Sequence, residues 1–155
     1  MRGIHRELFY PHPPERVWRT LTEPALISRW LMDVEAFEPR VGCRFQFITK
    51  PAPGFDGVIH CEVLEADPPR RLSYSWRSGR AKTPTTVLWQ LVREGEGTRL
   101  VFDHTGFRGP GGFFVRTLLG RGWGHKLRDY LPLLLERVAR VSDVSTIDRE
   151  GLLEC

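Results

Sequence analysis

Five consecutive segments between Arg44 and Thr105 alternate in polarity with a period of two: 44–49, 57–66, 71–77, 85–93 and 98–105. Apolar residues at every second position put one face of a strand on a core. The links carry turn chemistry (Pro51-Ala52-Pro53-Gly54, Asp67-Pro68-Pro69, Ser78-Gly79, Glu94-Gly95-Glu96-Gly97) and are too short to hold a crossover helix. The strands must therefore pair antiparallel, as a meander.

A meander with one apolar face needs a cover. The only element long enough is C-terminal: from Trp123 to Val141, the residues Trp123, Leu127, Leu131, Leu134, Leu135 and Val138 form one helical stripe. Pro132 lies inside that helix and cannot donate to the carbonyl of Arg128, so a kink is expected there. Ahead of the meander, Ile4 to Tyr10 alternates and stops at Pro11, giving a short first strand. Pro14 and Pro24 suit the first turns of two short helices, with Val17, Trp18 and Leu21 on one face of the first. Leu26, Ile27, Trp30 and Leu31 lie along the second, over 25–31. The reading is an α+β domain over 1–141, a curved antiparallel sheet around a long C-terminal helix, followed by a weakly ordered tail over 142–155.

The chain's 155 residues suffice for one core. No apolar run approaches the roughly 18 residues a membrane span needs, so stable membrane insertion is not expected. The N-terminus lacks a secretory pattern, which sets the expectation of a soluble, cytoplasmic protein. Cys43, Cys61 and Cys155 are widely spaced, which suggests reduced thiols rather than a disulfide framework. The formal charge of +4 comes from scattered arginines with acids between most of them, so no nucleic-acid partner is expected.

Further residues give this order a resemblance. Pro14-Glu15-Arg16-Val17-Trp18-Arg19-Thr20-Leu21-Thr22-Glu23-Pro24 is followed by Trp30, then by Gly42-Cys43-Arg44-Phe45 and by Asp67-Pro68-Pro69-Arg70-Arg71-Leu72-Ser73-Tyr74-Ser75-Trp76. Gly97-Thr98-Arg99-Leu100, His104-Thr105-Gly106-Phe107 and Gly122-Trp123 complete the series. Over about residues 4 to 140 the chain resembles the START-like superfamily, and within it the domain related to the activator of the Hsp90 ATPase. The resemblance implies a helix-grip fold with a cavity between sheet and helix, where members hold lipids, sterols, aromatic polyketides or plant hormones. It implies no single reaction. A departure is the segment Gly109 to Gly120, often a polar linker in the family, which here carries Phe113, Phe114, Val115, Leu118 and Leu119. That segment, with Arg116 and Arg121, suggests a lid over the cavity mouth, a membrane-touching gate, a homodimer contact or plain packing.

If Val87, Trp89 and Leu91 face inward, the same parity turns Leu72, Tyr74, Trp76 and Leu100, Phe102, His104 inward. Trp30, Phe45, Phe47, Tyr74, Trp76, Trp89, Phe102, His104, Trp123 and Leu127 then converge as candidate ligand-binding residues, unless they simply pack as a core. His104 can orient a ligand carbonyl or move a proton, with Tyr74 nearest, or with His60 or Glu62 if their strand points the other way. A core histidine with satisfied nitrogens is the alternative. His60-Cys61, His104 and His125 lack metal-ligand spacing, and the glycine-rich stretches Gly109-Pro110-Gly111-Gly112 and Gly120-Arg121-Gly122-Trp123-Gly124 read as loops without phosphate-loop chemistry. No nucleophile elbow is present. The expected function is carriage of a small hydrophobic or aromatic ligand, without metal, cofactor or catalytic residue. The alternatives are a polyketide cyclase or aromatase using the same cavity, and a module that binds an Hsp90-type chaperone.

Overall fold

Proline offers no amide to a strand ladder, so the chain leaves the sheet at Pro11. In the computed structural model, which describes residues 3–79 and 83–141, β1 accordingly runs Ile4–Tyr10. Pro14 and Pro24 open α1 (Pro14–Thr22) and α2 (Pro24–Trp30) in the first turn, where a backbone amide would have no partner. A strand that shows no period follows, β2 (Asp33–Glu35). The meander is β3 (Arg44–Ile48), β4 (Val58–Asp67), β5 (Arg71–Ser78), β6 (Thr85–Glu94) and β7 (Gly97–Thr105). The tail over 142–155 lies outside the described residues, as do the side chains of Pro110 and Phe113.

The seven strands form one antiparallel sheet in the order β1-β7-β6-β5-β4-β3-β2, so β1 and β2 are its edges. Register aligns the inward rows: Leu72 faces Trp89, Trp89 faces Phe102, Tyr74 faces Val87 and Val87 faces His104. All of these side chains are buried. In β4 the pairing slips between Val63 and Glu65, which passes the inward position from Ile59, Cys61 and Val63 to Ala66 and leaves Leu64 exposed. His60 and Glu62 therefore lie on the outer face, away from His104. Cys43 and Cys61 are free thiols, both buried.

The covering helix departs from the sequence reading. It begins at Gly109, not Trp123: α3 (Gly109–His125) and α4 (Leu131–Arg140) flank a π turn at Lys126–Tyr130. The two glycine-rich stretches expected as loops are thus the first and last turns of α3. Proline stands in the first turn of the helix, and close packing at Gly112, Gly120 and Gly124 offsets the poor helix propensity of those glycines. A Cβ on Gly112 would stand 3.1 Å from Phe107, and one on Gly120 would stand 3.5 Å from Arg6.

The π turn is how the helix meets Pro132. The Leu131 amide reaches back to Lys126 rather than to Leu127, which frees the Leu127 carbonyl. The buried Tyr10 hydroxyl donates to that carbonyl at 2.7 Å, tying the end of β1 to the helix. Tyr10→Phe should leave the carbonyl unpaired in a dry site and lower unfolding free energy by about 1–2 kcal/mol in urea titrations, with an unchanged denaturant slope.

Candidate functional site

The inward rows of β3 and β5–β7 deliver their aromatic side chains to one place, beneath α3. Phe102 stands 4.5 Å from Trp123 and 4.6 Å from Trp89 between ring centres, and Trp89 meets Trp30 edge-on at 6.0 Å. Phe45, Phe47 and Tyr74 form a second group, linked to the first through Trp76, which lies 5.6 Å from Phe47 and 5.3 Å from Trp123. These edge-to-face and tilted geometries are the ones ring quadrupoles favour.

The indoles of Trp30, Trp89 and Trp123 and both nitrogens of His104 have protein partners. Trp30 Nε1 donates to the Thr20 carbonyl at 2.8 Å, and Trp89 Nε1 donates to the Tyr74 hydroxyl at 3.0 Å. Trp123 Nε1 donates to His104 Nδ1 at 3.1 Å, which puts the imidazole proton on Nε2. Nε2 in turn faces the Thr85 hydroxyl at 2.7 Å, and that hydroxyl donates to the Trp76 carbonyl at 3.0 Å. Helix and sheet are therefore joined by one chain of hydrogen bonds. With no carboxylate in that chain, burial alone lowers the His104 pKa to about 3, and the ring is neutral at ordinary pH. Burial likewise pushes the Tyr74 hydroxyl far above its ordinary value.

Beside this cluster lies a cavity of about 720 Å³, within the range of small-molecule sites. Its roof is the inner side of α3: Gly111, Gly112, Val115, Leu118, Leu119, Gly122 and Trp123. Leu31, Met32, Phe55, the turn that precedes it, Ile59, Trp76 and Phe107 complete the lining. Polar atoms are few: the hydroxyls of Thr49, Ser78, Thr83 and Thr85, the guanidinium of Arg108, and the amine of Lys126. Lys126 donates to the Leu31 carbonyl at 2.8 Å, and half-burial lowers its pKa.

Of the ten side chains singled out by sequence, Trp76 and Trp123 line this cavity. Trp30, Phe45, Phe47, Tyr74, Trp89, Phe102, His104 and Leu127 are buried and gathered behind or beside its wall. Leu118 and Leu119, read as part of a lid segment, are roof residues of a helix. Sequence reasoning missed Met32, Phe55 and Lys126. Phe55 stood alone in a proline and glycine turn, and Lys126 was a lysine in a chain that mostly uses arginine for positive charge. Neither belongs to an alternating strand. Among the described residues no cluster of three metal-ligating side chains occurs, and no helix is long and apolar enough to cross a membrane.

The family described as activator of Hsp90 ATPase homolog 1-like protein matches residues 11–131. Protein MLL2253 from Mesorhizobium loti is similar at 35% identity and a TM-score of 0.77, over 88% of this chain and 98% of that one. CalU16 from Micromonospora echinospora is similar at 26% identity and a TM-score of 0.69, over 97% of this chain and 85% of that one. The Aha1 dimer from Colwellia psychrerythraea shares the fold at 18% identity and a TM-score of 0.70, over 82% of this chain and 91% of that one. No curated protein matches.

His104 gives the site a pH signature. Its folded pKa of about 3 lies below the roughly 6.5 of an unfolded histidine, so between those values the unfolded chain binds the extra proton. Its contribution to stability is complete above pH 6.5 and is lost as pH falls toward 3, with a slope of at most about 1.4 kcal/mol per unit. Urea unfolding at pH 7 and pH 5 should show His104→Gln losing less stability on acidification than the parent. Equal losses would refute the assignment.

Proposed function

The chain belongs to the family of activator of Hsp90 ATPase homolog 1-like proteins, and on that premise we propose that it holds a small hydrophobic or aromatic molecule in the cavity under α3. The observation that carries this reading is the wall itself. A space of about 720 Å³ is lined mainly by Leu, Val, Ile, Phe, Trp and Met side chains, with polar groups confined to a few points. Transfer of an apolar molecule from water to such a wall is favourable at roughly 25 cal/mol per Å² of apolar surface removed. Trp76 and Trp123 line the space, and Lys126, Ser78 and Thr83 are its polar points. CalU16 encloses a comparable fold and supports the reading only at that level.

The aromatase alternative loses the residues it named. His104 has both ring nitrogens engaged by Trp123 and Thr85, and the Tyr74 hydroxyl is held by Trp89. Neither lines the cavity. A carrier needs no acid or base, only a shaped apolar space and a way in.

A titration with the neutral fluorophore N-phenylnaphthylamine, alongside native mass spectrometry of the freshly purified protein, tests the proposal. One molecule should bind per chain. Leu118→Asp puts a charge on the cavity roof at a half-exposed position where folding should survive, and it should weaken binding by about tenfold or more. Saturable binding that Leu118→Asp and Phe55→Ala both leave unchanged would place the ligand elsewhere, and absence of binding would overturn the reading.

A further inference from the structure

We propose that the cleft between β1 and the outer side of α3 is a second binding site, for a phosphate monoester group. This site goes beyond the cavity and lies on the other side of the same helix. The cleft encloses about 510 Å³, and its lining includes Arg6, Arg116, Arg121 and Arg128 against one acid, Glu7.

That concentration is invisible in the sequence, because Arg6 and Gly120 are 114 positions apart. Arg6 occupies an inward position of the edge strand, in the row with Ile4, Leu8 and Tyr10. Its guanidinium lies along the glycine face of α3, donating to the Gly120 carbonyl at 3.2 Å and to the His5 carbonyl at 2.8 Å, while Arg128 Nε donates to the Gly124 carbonyl at 3.1 Å. Gly124 shows how close the charges come. Arg6 Nε stands 3.9 Å and an Arg128 terminal nitrogen 3.7 Å from the point its Cβ would occupy, so two guanidinium groups converge on one helical turn.

Four arginines elsewhere are neutralised in place: Arg19, Arg71, Arg93 and Arg99 each pair with a carboxylate at 2.7–3.0 Å. Among the described residues no carboxylate stands within ion-pair distance of Arg6, Arg121 or Arg128. Glu7 is engaged by His5 at 2.9 Å, on the outward side of β1, and Asp129 by His125. Among the described residues Arg6, Arg121 and Arg128 are thus gathered without a counter-charge; like charges so placed disfavour each other, and an anion between them removes that penalty. Guanidinium forks match the tetrahedral oxygens of phosphate in bidentate pairs, and a dianion offsets more of the lining charge than a single carboxylate does.

A phosphate monoester can arrive as a small soluble molecule or as a lipid headgroup, and two arms separate these sources. In the first, inorganic phosphate is titrated into the intact chain at constant ionic strength while NMR follows the arginine Nε–H and the Gly120 and Gly124 amide signals. In the second, the chain is pelleted with phosphatidylcholine vesicles with and without phosphatidic acid. The expected result is a saturable phosphate response, or pelleting that requires phosphatidic acid. Arg121→Gln, at an exposed position without a hydrogen bond or ion pair among the described residues, should not affect folding and weakens it by about tenfold, as does Arg6→Gln. If Arg6 merely packs on the glycines and shields the sheet edge, Arg6→Gln lowers Tm and leaves phosphate affinity unchanged. That result, or a linear response shared with chloride and no vesicle binding, overturns the proposal. N-phenylnaphthylamine binding should be unaffected by Arg121→Gln, so this site and the cavity can fail separately.

Discussion

Trp123 is the residue through which the helix and the sheet recognise each other. Its ring fills the space between Phe102, Trp89 and Trp76, and its single N–H is aimed at His104. Buried aromatic area supplies the driving force without direction. The hydrogen bond supplies direction, because an imidazole with one acceptor nitrogen takes the indole only at one register of helix on sheet. Thr85 and the Trp76 carbonyl then fix the other ring nitrogen, so the orientation of His104 is set by β5 and β6 rather than by the helix it serves.

With α3 anchored at Trp123 and Leu127, the rest of the helix projects past the sheet and acquires two different sides. The side toward Phe55 and Met32 is apolar and roofs the cavity. The side toward β1 carries Arg116, Arg121 and the two glycines against which Arg6 lies. The π turn belongs to the same device. It absorbs the missing amide of Pro132, gives Tyr10 a carbonyl to bind, and begins at Lys126, one of two cations on the cavity wall.

The strands were legible because period-two alternation is a one-dimensional record of a two-faced sheet, and the inward parity of Trp89, Phe102 and His104 followed from it. β2 was not legible, since three residues hold no period. The first half of α3 was hidden for a different reason: glycines at 109, 111, 112, 120, 122 and 124 argue locally against a helix, and only at Gly112, Gly120 and Gly124 does contact with Phe107, Ile4, Arg6 and Arg128 explain the residue. The aromatic cluster could be read as a set but not divided. Which rings line a space and which fill one depends on where α3 begins, so Trp76 and Trp123 could not be told from Trp89 and Phe102 in advance. The arginine cleft joins β1 to α3 across most of the chain and leaves no local trace.

That glycine content also decides which part of the structure yields first. Each interior glycine costs a helix roughly 0.5–1 kcal/mol relative to alanine. From Trp123 onward burial of Trp123, Leu127, Leu131 and Leu135 offsets this cost, but Phe114, Val115 and Leu118 are 63%, 45% and 54% exposed and bury little. Local opening follows local burial, so the turns before Gly120 open at lower free energy than the turns after it. Those turns are the cavity roof. On the proposed reading, loosening of that N-terminal half is the route by which a ligand would enter, while the Trp123 to His104 bond keeps the core and the register of the sheet in place.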